Sequence, residues 1–277
     1  MSYLVIQGLE VETPDVKAIA KLSGAARIET IGENAFRLHN PRTREGVAAY
    51  CARAKLDFAF VPQPRRLADF RLLVMDMDST LITIECIDEI ADMQGIKPQV
   101  AAITASAMRG EIEYRESLRR RLALLEGLTE SALQRVYDER LRLSPGAERM
   151  LERVRSLGIK TLLVSSGFTF FTERLKERLA LDYTLSNTLE IKNGKLTGKV
   201  LGRIVDAQAK TAKLRELRDG LRLSRDQVVA FGDGANDLAM MAEAGVSIAY
   251  RAKPVVREKA TYCFDYVGLD GLLNLYA

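Results

Sequence analysis

Residues 71–83 read RLLVMDMDSTLIT, and no other stretch limits the fold so tightly. The apolar run Leu72–Met75 has the length and Val/Leu content of a buried strand, of the kind found in a parallel sheet covered on both faces. It delivers Asp76 and Asp78, with Ser79 and Thr80 directly behind them. A strand ending in carboxylates sets them at the carboxyl edge of a sheet, where open α/β sheets bind ligands. Two carboxylates this close in a dry site repel, so either one carries a proton or a cation lies between them. Both states serve chemistry, with one carboxylate as nucleophile, one as acid or base, and a hard cation for a phosphate. The plainer reading is a strand that ends in a polar turn, since Asp and Ser are common turn residues.

Two further runs and a lysine favour chemistry. Val228–Phe231 meets Gly232, Asp233 and Gly234, then Asn236 and Asp237. Glycines flanking an aspartate let the backbone turn sharply and approach a ligand closely. Asp233 and Asp237 are expected at the same sheet edge. Residues 161–167, TLLVSSG, form a third apolar strand ending in Ser165, Ser166 and Gly167. These offer hydroxyl and backbone N–H donors to an anion, helped by the N-terminus of the helix that follows. Lys210 supplies a cation within AQAKTAKL, which reads as a helix start.

Around these runs the periodicity predicts three parts. Residues 1–62 show a strand (3–6), a helix (14–21), strands at 27–31 and 35–39, a helix (42–54) and a strand (57–61). The order βαββαβ fits a small α+β ferredoxin-like domain. A linker follows over 63–70, announced by Pro62, Gln63, Pro64 and two arginines. Residues 71–86 and 143–277 are expected to form a Rossmann-like three-layer α/β core, because helix and strand patterns alternate there. Its predicted elements are helix 145–157, strand 160–164, helix 169–179, strand 183–185, a hairpin at Asn193-Gly194, helix 209–220, strand 227–231, helix 236–243, strand 246–249 and helix 254–259. Residues 87–142 are helical in pattern, over 87–93, 98–108, 112–125 and 129–140. Helices inserted after the first core strand make a cap that excludes water from the sheet edge.

Composition narrows the chemistry. The chain of 277 residues has one histidine, His39, and three cysteines, Cys51, Cys86 and Cys263, scattered singly. A Ser-His-Asp triad would need His39, far from the motifs, and no C-x-x-C offers a zinc site. The cysteines read as buried small apolar residues in a reduced cytosol. With 41 basic and 37 acidic residues the net charge is +4, too balanced for a nucleic-acid partner. Arg119 and Arg120 read as a solvated helix face; Met108 and Tyr114 are pocket-lining candidates, but apolar residues at helical spacing read first as core. The first residues lack the pattern of a signal peptide, and no apolar run approaches a membrane span.

The four motifs, in this order, resemble the haloacid-dehalogenase superfamily of phosphatases. DMDST is similar to its nucleophile motif, Ser165 to its hydroxyl motif, Lys210 to its lysine motif and GDGAND to its acidic motif, over roughly residues 70–277. ITIECIDEIADMQG and EIEYRESLRRRLALLEGL, with GDGANDLAMMAEAG, resemble the phosphoserine-specific branch. The resemblance implies Asp76 as nucleophile and Asp78 as general acid/base. It implies Mg²⁺ on the Asp76 carboxylate, the Asp78 backbone carbonyl and the Asp233 carboxylate, with Asp237 close behind. Ser165, Ser166, Lys210 and Asn236 would hold the phosphoryl group, with Gly167 supporting, while Glu85 and Arg121 would read the ammonium and carboxylate of serine. The implied activity is cytoplasmic hydrolysis of O-phospho-L-serine, the last step of serine synthesis. Two alternatives stand beside it: action on another small phosphomonoester such as phosphohomoserine, and a non-catalytic amino-acid or phosphate sensor. The N-terminal domain resembles ACT modules, which leaves packing, homodimerisation and serine sensing as its open roles. Its deletion is expected to leave a competent core.

Overall fold

The computed structural model describes residues 2–62 and 65–276. Gln63 and Pro64, the first two residues of the expected linker, lie outside them. Two sheets are present among the described residues. One has four strands in the order β2-β3-β1-β4, and the other seven in the order β11-β10-β9-β5-β6-β7-β8. The backbone divides into two compact units, one of Met1–Leu73, Ser144–Lys160 and Arg222–Ala277, the other of Val74–Leu143 and Thr161–Leu221.

The first unit opens with β1 (Tyr3–Gln7), α1 (Thr13–Ser23), β2 (Arg27–Gly32), β3 (Ala35–His39), α2 (Val47–Ala54) and β4 (Asp57–Val61). β1 pairs antiparallel with both β3 and β4. Side chains alternate across a strand, so Leu4, Ile6 and Leu38 all point to one face. There they meet Val16 and Ile19 of α1 and Val47 and Cys51 of α2 in a buried core. Each such aliphatic side chain removed from water contributes roughly 1.5–3 kcal/mol. The helix expected from Arg42 begins only at Val47. The Arg42 and Thr43 amides donate to the Ser23 carbonyl at the end of α1, and Gly46 takes φ 72° at the helix start.

The opposite face of this sheet, with Tyr3, Val5, Ala59 and Val61, is buried too. Here Gln7 accepts from Asn274 of α12 (Gly271–Leu275) at 2.8 Å. Asp57 accepts three backbone N–H groups, from Asp265, Tyr266 and Val267, each at 2.9 Å. The unit also holds the start of β5 (Leu72–Asp76), α7 (Ala147–Ser156), β9 (Val228–Gly232), α10 (Leu238–Met241), β10 (Val246–Tyr250), α11 (Pro254–Arg257) and β11 (Tyr262–Phe264). β9, β10 and β11 pair in parallel and are almost wholly buried, as their continuous apolar runs require.

The second unit carries the end of β5, the helices α3 (Cys86–Met93), α4 (Lys97–Met108), α5 (Tyr114–Ala123) and α6 (Glu130–Arg135), and then β6 (Lys160–Phe168), α8 (Thr169–Leu179), β7 (Tyr183–Lys192), β8 (Lys195–Leu201) and α9 (Ala207–Gly220). β6 runs four residues past its expected end, with its register against β7 shifting between Val164 and Phe168. β7 is also longer than its apolar core, because it turns into an antiparallel hairpin with β8. Asn193 and Gly194 take φ 51° and 73° at that turn, the pair of left-handed residues a two-residue hairpin loop demands.

Candidate active site

The second unit gathers most of the residues singled out above. β5 is fully buried and ends on Asp76, whose Oδ1 accepts the Met77 N–H at 2.7 Å and faces Lys210 Nζ at 2.9 Å. Lys210 has no solvent exposure. It sits in the first turn of α9, which Asp206 caps by accepting the Ala209 N–H at 3.0 Å. A buried ammonium needs a partner, and the ion pair with Asp76 supplies one.

Two residues on, Asp78 holds the loop together. Its Oδ1 accepts the Cys86 N–H at 2.8 Å and its Oδ2 the Ser165 hydroxyl at 3.1 Å. Burial pushes the Asp78 carboxyl up, against the opposing pull of the Cys86 N–H, the Ser165 hydroxyl and Lys210. A carboxyl whose hold on its proton is strengthened is better suited to act as an acid. Ser79 takes φ 55°, a left-handed backbone that a serine adopts at a cost of about 1 kcal/mol. The bend lets the Ser79 amide reach the Ile84 carbonyl at 3.1 Å and its hydroxyl reach Glu85 Oε1 at 2.6 Å. Glu85 is exposed at the start of α3. Burial and the neighbouring Asp78 hold the Cys86 thiol well above its usual range, so it stays an inert thiol.

Ser165 lies at the end of β6 with its Oγ also accepting the Gly167 N–H at 2.8 Å. Position 167 has no room for a side chain, since a Cβ there would lie 2.8 Å from Asp78 Oδ2 and 3.0 Å from Ser165 Oγ. Ser166 turns its carbonyl to the Asn187 carboxamide at 2.7 Å and to the Tyr114 hydroxyl at 3.5 Å, while its own Oγ is buried without a hydrogen bond among the described residues. Arg121 lies on α5, with Nε 3.4 Å from the Ser117 carbonyl one turn earlier. Burial pushes the Tyr114 phenol up, against the opposing pull of its Ser166 hydrogen bond, Arg121 and Lys210. Asn187 is the residue that the sequence reading passed over, and Tyr114 the one it preferred as core. Arg119 and Arg120 are exposed and paired with Glu116, and Met108 is exposed rather than core.

In the first unit, Asp237 is fully buried, and its Oδ2 accepts the N–H groups of Asp233 at 3.2 Å and Gly234 at 3.1 Å. Asp233 and Asn236 are half-buried. Asp76 in the second unit and Asp233 and Asp237 in the first each offer a carboxylate oxygen. An all-oxygen anionic set suits a hard divalent cation such as Mg²⁺ and not zinc or copper.

Residues 73–242 match the model of the haloacid dehalogenase-like hydrolases, and residues 4–47 that of a domain of unknown function. The chain is 54% identical over 215 residues to a phosphoserine phosphatase of Polaromonas sp., covering 76% of this chain and 91% of that one. Among solved structures it is similar to a HAD-family hydrolase from Salmonella enterica serovar Typhi, with TM-score 0.91, 34% identity and coverage of 100% and 99% of the two chains. It is similar also to a probable phosphoserine phosphatase from Vibrio cholerae in unliganded form, with TM-score 0.87, 36% identity and coverage of 99% and 86%.

Proposed function

We propose, since this chain belongs to the haloacid dehalogenase-like hydrolase family and within it to the phosphoserine phosphatases, that it hydrolyses O-phospho-L-serine through an aspartyl-phosphate on Asp76. The observation that carries the mechanism is the Asp76–Lys210 ion pair beside a second carboxyl, Asp78, whose affinity for its proton is raised. A phosphate monoester dianion repels a carboxylate, so attack needs cationic charge close to both. Lys210 supplies it from the protein. Mg²⁺ bound by Asp76, the Asp78 carbonyl and Asp233, with Asp237 behind them, would further neutralise the phosphoryl oxygens.

In this reading Asp76 forms the new O–P bond while the bond from phosphorus to the serine oxygen breaks. Asp78 gives its proton to that leaving oxygen. In the second half it takes a proton from the water that attacks the aspartyl-phosphate, and phosphate leaves. Ser165, the Ser166 region, Lys210 and Asn236 hold the phosphoryl oxygens, and Gly167 keeps the approach open. Glu85 and Arg121 take the ammonium and carboxylate of the substrate. Helices α3–α6 act as a cap, residues 1–62 as a ferredoxin-like module, and the product enters serine supply in the cytoplasm.

Phosphate release from L-phosphoserine, with and without Mg²⁺, beside phosphothreonine, phosphohomoserine and p-nitrophenyl phosphate, tests the reading. The expected result is Mg²⁺-dependent release with phosphoserine preferred. Release only from the aryl ester would remove the substrate assignment. Asp76→Asn is expected to lose at least about 10³-fold in kcat while still folding, with a lowered melting temperature because the buried Lys210 loses its counter-charge. Retained turnover would remove the nucleophile.

A further inference from the structure

The Asn187 side chain is 2% exposed, and both ends of its carboxamide are engaged. Nδ2 donates to the Ser166 carbonyl at 2.7 Å and Oδ1 accepts the Val205 N–H at 2.8 Å. Neither partner is its neighbour in the chain, at 21 and 18 residues away. Ser166 belongs to the segment that presents Ser165 Oγ and the Gly167 N–H. Val205 immediately precedes Asp206, the cap of the helix that carries Lys210. β7 itself holds Asn187 in register with Phe168, so the carboxamide has a fixed origin on the sheet.

We infer that Asn187 is a positioning residue for phosphoryl transfer, fixing the hydroxyl segment at the end of β6 and the start of the lysine helix to each other. A single planar amide with both hydrogen bonds made spans the two segments. Removing one partner leaves a buried carbonyl or N–H unsatisfied, and the two segments then relax independently. A misplacement of about 1 Å between groups that hold the same phosphoryl group costs on the order of 10²-fold in rate. The Tyr114 hydroxyl meets the same Ser166 carbonyl, so α5 rests on the piece that Asn187 fixes. This inference rests on the phosphoryl-transfer reading given above, though not on the choice of serine as leaving group.

The test uses the full chain with Mg²⁺ and three variants, assayed well below each melting temperature so that all are folded. Asn187→Leu removes both arms. Asn187→Asp keeps an acceptor for the Val205 N–H and sets a carboxylate oxygen against the Ser166 carbonyl. Ser186→Ala is the control, because Ser186, next door on the other face of the strand, bonds Thr172 Oγ1 at 2.7 Å. Both Asn187 variants are expected to lose at least tenfold in kcat/KM by the same factor on L-phosphoserine and on p-nitrophenyl phosphate. Their affinity for inorganic phosphate, measured by calorimetry without turnover, is expected to fall at least threefold, while Ser186→Ala keeps wild-type constants. Asn187 variants that melt earlier but keep kcat/KM and phosphate affinity within twofold would overturn the inference. So would an equal kinetic loss in Ser186→Ala. If the wild type cleaves only the aryl ester, the serine assignment fails while the Asn187 comparison is still read on that ester and on phosphate.

Discussion

At the scale of single residues, the contact that decides most is the one position 167 makes by lacking a side chain. Asp78 Oδ2, Ser165 Oγ and the Gly167 N–H are packed so that a methyl group would displace two of them at once. Gly167→Ala is therefore expected to lower kcat roughly 10- to 100-fold. The fold is expected to weaken by only about 1–2 kcal/mol. Steady-state kinetics and thermal melts on the same preparation check this, and a variant with wild-type kcat would show that the crowding is absorbed elsewhere. Asp76, Asp78, Ser165 and Lys210 were legible in the sequence because each ends an apolar strand or opens a helix. Tyr114 and Asn187 were not. Tyr114 has an apolar body at helical spacing, and its hydroxyl partner is 52 residues away. Asn187 sits among ordinary strand residues, and its two partners are backbone groups, which carry no mark in a sequence.

At the scale of elements, α9 shows how a helix start becomes part of a site. Asp206 caps it, and Arg115 of α5 donates to Asp206 Oδ2 from Nε at 2.9 Å and Nη2 at 2.6 Å. Burial raises the Asp206 carboxyl, but the Ala209 N–H and Arg115 outweigh it and hold the group below its usual range. A carboxyl depressed in the folded state stabilises above its unfolded value, about 3.9, and that contribution is lost as pH falls through the folded value. Asp206→Ala is expected to cost about 1 kcal/mol at pH 7 and less at an acid pH below its folded value, where the wild type has lost the same contribution. Urea melts at both pH values check it, and an equal difference at the two would show that the charge plays no part. Arg115→Ala is expected to cost less than 1 kcal/mol, since its side chain is nearly half exposed. The helix expected over 209–220 was legible to within two residues, and the hairpin after β7 from its Asn-Gly pair. The expected helix from Arg42 began five residues late, because the amides there found a tertiary acceptor in Ser23 that periodicity cannot show.

At the scale of the molecule, residues 1–62 read from the sequence as a separable module, yet they share a compact unit with the C-terminal stretch. Asp57 is the reason with the sharpest consequence. It is 4% exposed and takes three N–H groups from consecutive residues 265–267. Burial pushes its carboxyl up, and those three donors pull it back. Asp57→Ala would leave three inward-facing donors unmet and is expected to cost about 3 kcal/mol. Thermal and urea melts check it, and a change under about 1 kcal/mol would show that water replaces the carboxylate. The alternation of strand side chains made the helix-covered face legible. The second buried face was not, because its partners lie more than two hundred residues along the chain.

That separation has a consequence for how the protein is made. The Gln7–Asn274 and Asp57–Val267 contacts span 267 and 210 residues, so the first unit cannot close until residues 265–274 have been made. The four-stranded sheet emerges early and can pair its own strands, but Tyr3, Val5, Ala59 and Val61 must wait in water for α12. Loop closure over such a span is slow compared with local pairing, which makes this waiting face the point where a nascent chain is most open to aggregation or to a chaperone.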